Sequence, residues 1–180
     1  MQITGGYLKS RKIDSPRTSN VRPTLSQVRE SIFSVLFSMM DFEGRSFLDA
    51  FAGSGIMGFE ALSRGFGQAA FIEKDKKTYF LLKENAKKLG IDARFLFGDS
   101  LKVLKSLDCG FDVIYVDPPY QSGLYDGVLM VIKENLLVKQ GGIVILEHPA
   151  ALKIDSDGFT LIKQKKYADK AVSFLNCESS

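Results

Sequence analysis

The sequence predicts a doubly wound α/β domain: a mostly parallel seven-stranded sheet, helices on both faces, and a closing β-hairpin at one sheet edge. Three observations predict it. From residue 46 onward, short runs rich in β-branched and aromatic residues alternate with stretches of helical periodicity. Several of those runs are apolar at consecutive positions, as in strands covered on both faces. The first run leads straight into Gly53-Ser54-Gly55-Ile56-Met57-Gly58, a glycine-bearing turn of the kind that joins a parallel strand to its helix.

The elements follow in order. Residues 1–23 hold Gly5, Gly6, Pro16 and Pro23 among polar side chains and read as an irregular arm or short hairpin. Thr24 and Gln27 fit a capping box that starts a helix. Val28, Ile32, Val35, Leu36 and Met39 give that helix one apolar face, and Gly44 marks its end. Strands are expected at 46–50, 69–73, 95–97, 111–116 and 143–146, with helices at 58–63, 76–89, 101–107 and 124–137 between them. Two further runs, 159–163 and 171–175, make the closing hairpin. The chain thus divides into a basic arm, 1–23, and one α/β domain, 24–180.

A chain of 180 residues can bury a full hydrophobic core, and 45% hydrophobic with 25% charged residues is ordinary for a soluble domain. No apolar stretch approaches the roughly 18 residues a membrane span needs, and the first residues lack the apolar centre of a signal peptide. A cytoplasmic protein without membrane contact is expected. Cys109, Cys177 and the single histidine, His148, have no metal-ligand spacing, so no metal is expected. The net charge of +3 is unevenly spread. Residues 1–40 carry six basic side chains against Asp14 and Glu30, while the rest of the chain is slightly acidic. Lys9, Arg11, Lys12, Arg17 and Arg22 therefore suggest contact with a polyanion, with a solvated tail as the alternative.

The segment Asp49-Ala50-Phe51-Ala52-Gly53-Ser54-Gly55 lies at the carboxyl end of the first core strand, where ligands bind in this class of fold. Glycines there let the backbone turn and approach a ligand closely. Glu73, at the end of the next strand, can accept both hydroxyls of an adenosine ribose. Asp49 distinguishes between adenosine cofactors. A carboxylate at that position would repel a dinucleotide pyrophosphate, whereas it favours the ammonium and sulfonium of S-adenosylmethionine. Asp99, in Phe97-Gly98-Asp99-Ser100, can accept from an adenine amino group, cap the following helix, or do both. Phe51, Ala52 and Ser54 in the turn, Lys74 beside Glu73, and Ser100 beside Asp99 complete the candidate cofactor contacts.

Asp117-Pro118-Pro119-Tyr120 follows the fourth strand and is the most specific local signal in the chain. An aromatic exocyclic amine is a poor nucleophile because its lone pair is delocalised into the ring. The Asp117 carboxylate and the Pro118 carbonyl can each accept one amine N–H. That orients the lone pair and stabilises the positive charge that grows on nitrogen during methyl transfer. Pro118 and Pro119 stiffen the backbone that presents these acceptors. Tyr120 offers a ring for a base to stack on.

On these residues the chain resembles the amino-methyltransferases of nucleic acids, and more narrowly the bacterial RsmD family. The narrower resemblance lies in Gly5-Gly6, in Lys9 to Ile13, in Arg22-Pro23-Thr24, and in Val28-Arg29-Glu30-Ser31-Ile32-Phe33. It continues through Asp49 to Gly55, Gly58-Phe59-Glu60-Ala61-Leu62-Ser63-Arg64-Gly65, Asp117 to Tyr120, and Glu147-His148. It covers nearly the whole chain. It implies a Rossmann-like methyltransferase fold, S-adenosylmethionine as donor with S-adenosylhomocysteine as product, and N2-methylation of one guanine in 16S ribosomal RNA. The substrate would be the 30S subunit or its assembly intermediate, and the enzyme a monomer. By the same resemblance Arg22 and Thr24 border the methionine end of the cofactor, if Thr24 is not simply a helix cap. His148 reads as a structural residue near the site. Ala168 departs from the pattern, standing where such proteins commonly place glycine. Two other readings stay open. A DNA adenine-N6 or cytosine-N4 methyltransferase could use the same Asp-Pro-Pro-Tyr chemistry, but this chain has little room for a duplex-reading insert. An S-adenosylmethionine- or RNA-binding scaffold without catalysis is disfavoured by the intact Asp117 and Tyr120.

Overall fold

The computed structural model describes residues 1–16, 26–119, 123–152 and 158–177. Within them a seven-stranded sheet carries five helices. The elements are α1 Ser26–Phe37, β1 Ser46–Asp49, α2 Ile56–Ser63, β2 Gln68–Glu73, α3 Lys76–Leu89, β3 Arg94–Phe97, α4 Ser100–Lys105, β4 Phe111–Val116, α5 Leu124–Glu134, β5 Val138–Pro149, β6 Phe159–Tyr167 and β7 Lys170–Cys177. The sheet order is β3-β2-β1-β4-β5-β7-β6. Strands β1 to β5 pair in parallel, and β7 joins antiparallel to both β5 and β6. This is the doubly wound fold with a terminal hairpin that the alternation of runs predicts. The order reverses between β1 and β4, which makes a topological switch point at their carboxyl ends.

Successive strand residues face opposite sides, so each central strand feeds two cores. Phe47, Phe71, Val113, Ile145 and Phe174 face α1, α2 and α3 in one buried cluster. Leu48, Ile72, Ile114, Val144 and Leu175 face α4 and α5 in the other. Strands β1 and β4 are buried at every position, which is why they lack a polar alternation. Strand β3 differs: at the sheet edge it exposes Arg94 and Phe97.

The helix predicted to run towards Gly44 ends at Phe37. Met39 and Met40 instead close a turn on Leu36, with their backbone N–H groups 2.9 Å from its carbonyl oxygen. Gly44 lies in the loop that follows, with φ of +72°. The capping residue proposed for this helix, Thr24, lies outside the described residues. The other boundaries move by a few residues at most, except that β5 and β6 are longer than their apolar runs: β5 starts at Val138, paired in parallel with Phe111, and β7 pairs with β5 as far as Pro149 and with β6 as far as Tyr167.

The first 16 residues fold back on themselves. Gln2 and Lys12 form an antiparallel bridge, and Ile3, Leu8 and Ile13 are buried in the core with α1. Thr4 donates from both N–H and hydroxyl to Glu60 Oε1, at 2.6 and 2.8 Å. The buried Ser63 hydroxyl donates to Gly5 O and accepts from Leu8 N. Glu60 itself is fully buried between Arg29 and Arg64. Gly6, with φ of +76°, lies so close to α2 that a Cβ would overlap the Ser63 carbonyl. Much of the N-terminal part of the family signature is therefore one packed cluster.

Candidate active site

The site forms where β1, β2 and β4 end. Asp49 is the last residue of β1 and is buried, and its Oδ1 has no hydrogen-bond partner. Burial raises its carboxyl to about 7, against the lowering effect of the Gly58 and Phe51 backbone amides; nearby Glu73 raises it further. A buried acceptor without a donor is costly, so this oxygen marks a place where a cationic donor would be strongly held.

The glycine turn wraps around this carboxylate. Ala52 N donates to Ile72 O at 2.9 Å and Gly55 N to Ala52 O at 2.7 Å, which curls residues 52–55 between β1 and β2. The three glycines have different roles. Gly55 has φ of +85°, and a Cβ there would strike Leu82 and Phe59. Gly58 lies against the Phe71 ring, so it permits close packing of α2 on β2. Gly53 has φ of +54°, and a Cβ there would meet nothing within 4 Å. The space beside Gly53 is open, as close approach of a ligand requires. Ser54 is buried and its carbonyl accepts from Asn85 Nδ2 at 3.0 Å; Phe51 is half-buried.

Glu73 ends β2 and reaches across to the turn. Its Oε2 accepts from Gly53 N at 2.9 Å and its Oε1 from Asp75 N at 2.7 Å. Each carboxylate oxygen keeps lone-pair capacity for a further donor. Lys74 is exposed beside it. Asp99 caps α4, accepting from Lys102 N at 3.2 Å, and is exposed to solvent. Ser100 is instead buried and donates to Ala50 O at 2.7 Å, which fixes the start of α4 against the end of β1.

Asp117 and Pro118 follow β4 directly, with Pro118 buried and Pro119 exposed. Tyr120, the proposed stacking residue, lies outside the described residues, as do Arg17 and Arg22. Burial pushes the Asp117 carboxyl well above its ordinary range; Glu147 and Asp49 push the same way and Lys170 opposes them. These groups share one sheet face. Asp49 is in register with Tyr115, whose hydroxyl donates to Glu147 Oε2 at 2.7 Å. Lys170, at the start of β7, pairs with the buried Glu147. Among the described residues, Asp49, Asp117 and Glu147 thus share the carboxyl edge with Lys170.

Sequence reading singled out Glu147 but missed its partners. Tyr115 and Lys170 could be found only once the β4-β5-β7 register was known. It also missed Asn85, whose amide accepts from Asp14 N at 2.9 Å and donates to Asp14 O and Ser54 O, each at 3.0 Å. One buried side chain thereby ties the N-terminal segment to the glycine turn. His148 points away from this face. Its Nε2 lies 2.9 Å from Ser173 Oγ and its Nδ1 2.9 Å from Pro149 O, and burial lowers its pKa, so the ring stays neutral. Of the basic residues of the arm, Lys9, Arg11 and Lys12 are exposed, and Arg11 donates to Lys88 O at 2.9 Å.

A doubly wound sheet ending in an antiparallel hairpin, with an acid-lined switch point and Asp-Pro-Pro after β4, defines a methyltransferase of Rossmann-like fold. Comparison with known proteins narrows this. A family model described as "Conserved hypothetical protein 95" matches residues 1–176. The ribosomal RNA small subunit methyltransferase D of Buchnera aphidicola from Acyrthosiphon pisum is 34% identical, over 91% of this chain and 86% of its own. The putative rRNA methyltransferase YlbH of Bacillus subtilis is 32% identical over 92% of each chain. Among solved structures, the putative methyltransferase yhhF of Escherichia coli superposes with a TM-score of 0.88 at 27% identity, covering 100% of this chain and 99% of that one. The chain belongs to this family, the RsmD family of methyltransferases.

Proposed function

We propose that the protein transfers a methyl group from S-adenosylmethionine to the exocyclic N2 amine of one guanine in small-subunit ribosomal RNA, acting on the 30S particle or a precursor in the cytoplasm. The observation that carries the proposal is the placing of Asp49, a buried carboxylate with an unpartnered oxygen, at the end of β1 in register with Tyr115 of β4, just before Asp117-Pro118. The first fits the cationic amino-acid end of the donor, and the second fits an aromatic amine. The names of the relatives, which are rRNA methyltransferases, supply the substrate class.

The residues present fit the donor in charge and shape. Asp49 would take its ammonium, Glu73 its ribose hydroxyls, and Asp99 its adenine amine, while the open side of Gly53 leaves room for the chain between them. Bound there, S-adenosylmethionine supplies an electrophilic methyl group on a cationic sulfur. Asp117 and the Pro118 carbonyl would hold the two N–H groups of the target amine and aim its lone pair. As nitrogen gains charge, Asp117 stabilises it more than it stabilises the neutral amine, which is the condition for lowering the barrier. Glu147, anchored by Tyr115 and Lys170, adds to the negative field on the same face. No residue needs to remove a proton before transfer, and the neutral His148 on the other face is not required.

Asp117→Ala should therefore depress kcat far more than S-adenosylmethionine affinity. A loss of about 3 kcal/mol would be roughly a hundredfold in rate. Single-turnover methyl transfer to 30S particles, beside calorimetry of cofactor binding, measures both. A variant that loses cofactor affinity but keeps its rate at saturation would contradict the assignment.

A further inference from the structure

The described residues outside the site carry one surface that the proposed chemistry does not use. Helix α3 has a single carboxylate, Glu84, among five lysines. Its solvent face repeats at helical spacing: Lys76, Phe80, Lys83 and Lys87 lie three or four residues apart, and all are exposed. Phe80 is 54% exposed, unusual for a phenylalanine in the middle of a helix. Phe97, at the end of edge strand β3, is 55% exposed. Tyr79 joins the two, with its ring 6.0 Å from Phe80 and 5.3 Å from Phe97, and Lys83 Nζ stands 5.8 Å over that ring.

The ends of this strip are informative. At its N-terminal end α3 starts from Asp75, which is hydrogen-bonded to Glu73 at the cofactor site. At its C-terminal end Arg11 of the N-terminal segment donates to the Lys88 carbonyl, so the exposed Arg11 and Lys12 continue the basic surface. A helix of 14 residues spans about 21 Å. The molecule thus has a basic strip of about that length, bearing aromatic rings, that leads from the arm to the rim of the site.

We infer that this strip, formed by α3 with Phe80 and Phe97, is a docking track for a single-stranded segment of the substrate RNA, with lysines on its phosphates and the exposed rings under its bases. Charge complementarity commits the surface to a polyanion, and the aromatic rings favour unpaired bases over a smooth duplex. The inference rests on the reading of the protein as an RNA methyltransferase. It adds where the RNA flanking the target nucleotide lies.

The test uses the full chain, purified 30S subunits, and a fluorescein-labelled single-stranded oligoribonucleotide. Changing Lys76, Lys83 and Lys87 together to Ala should weaken oligonucleotide binding at least tenfold in anisotropy titrations. The slope of log affinity against log salt should become shallower by about 2, roughly 0.7 per lysine on a single strand. Phe80→Ser should weaken binding with the salt slope unchanged. Cofactor affinity, and the rate of methyl transfer at saturating 30S, should stay at wild-type values in both, since the altered side chains are exposed and touch no catalytic group. Unchanged affinity and slope in the triple-lysine variant would overturn the inference while wild-type methylation upheld the function. A dimer in sedimentation that Phe80→Ser dissolves without altering RNA binding would overturn it too, marking the patch as a contact between copies. Failure of the wild-type protein to methylate 30S RNA would instead sink the functional reading itself.

Discussion

Single residues make the sharpest claims. Asp49 is held protonated in part by burial, with its pKa near 7, and a bound ammonium needs it ionised. Cofactor affinity should therefore fall as pH drops below about 7, approaching tenfold per unit. Asp49→Asn should bind weakly and lose that dependence. The stability of the ligand-free protein runs the opposite way. A raised carboxyl contributes stability that is present below its ordinary pKa and lost as pH rises through the raised value, so the ligand-free wild type should melt lower at pH 8 than at pH 5 by more than Asp49→Asn does. Calorimetry and thermal melts across that range check both signs. Ala168 makes a second claim. It turns the β6–β7 hairpin with φ of +52°, in the left-handed region where a Cβ is strained by about 1 kcal/mol. In thermal melts Ala168→Gly should raise the melting temperature by a few degrees, the relief of left-handed strain exceeding the glycine's extra freedom when unfolded, and an unchanged or lower melting temperature would contradict this. The departure from the family pattern noticed in the sequence thus falls on a position whose backbone explains the usual glycine.

At the scale of elements, the N-terminal segment is fastened to α2 and α3. Glu60 is fully buried with Arg29, Arg64 and Thr4 around it, so removing its charge leaves Arg29 buried without its carboxylate. Glu60→Ala should destabilise the protein by about 3 kcal/mol. Thermal melts and amide exchange of residues 1–16 would register it, and an unchanged melting temperature would contradict this account of the cluster. Asn85 links the same segment to the glycine turn through Asp14 and Ser54. Asn85→Ala is expected to weaken cofactor binding, although Asn85 is predicted to touch no ligand, because the Ser54 carbonyl loses its donor. Unaltered cofactor affinity would show that the turn holds its shape without the tie.

Over the whole molecule, the parallel strands and their order along the chain were legible because buried β-strands leave apolar runs that no exposed helix leaves. The glycine turn and Asp-Pro-Pro-Tyr were legible because each packs its residues into one short stretch. The Tyr115-Glu147-Lys170 chain and the Asn85 tie were not, because they join residues 32, 23 and 71 positions apart through register and packing. The end of α1 at Phe37 was missed because Met39 keeps the helical spacing while serving a turn. The central proposal is that Asp117 and the Pro118 carbonyl, beside a cofactor held by Asp49, prepare an aromatic amine of ribosomal RNA for methylation. The most direct measurement is mass spectrometry of nucleosides from 30S particles incubated with the protein and S-adenosylmethionine carrying a labelled methyl group. The account predicts one labelled N2-methylguanosine per particle, and none with Asp117→Ala. Label in N6-methyladenosine or N4-methylcytidine, or full labelling by Asp117→Ala, would contradict it.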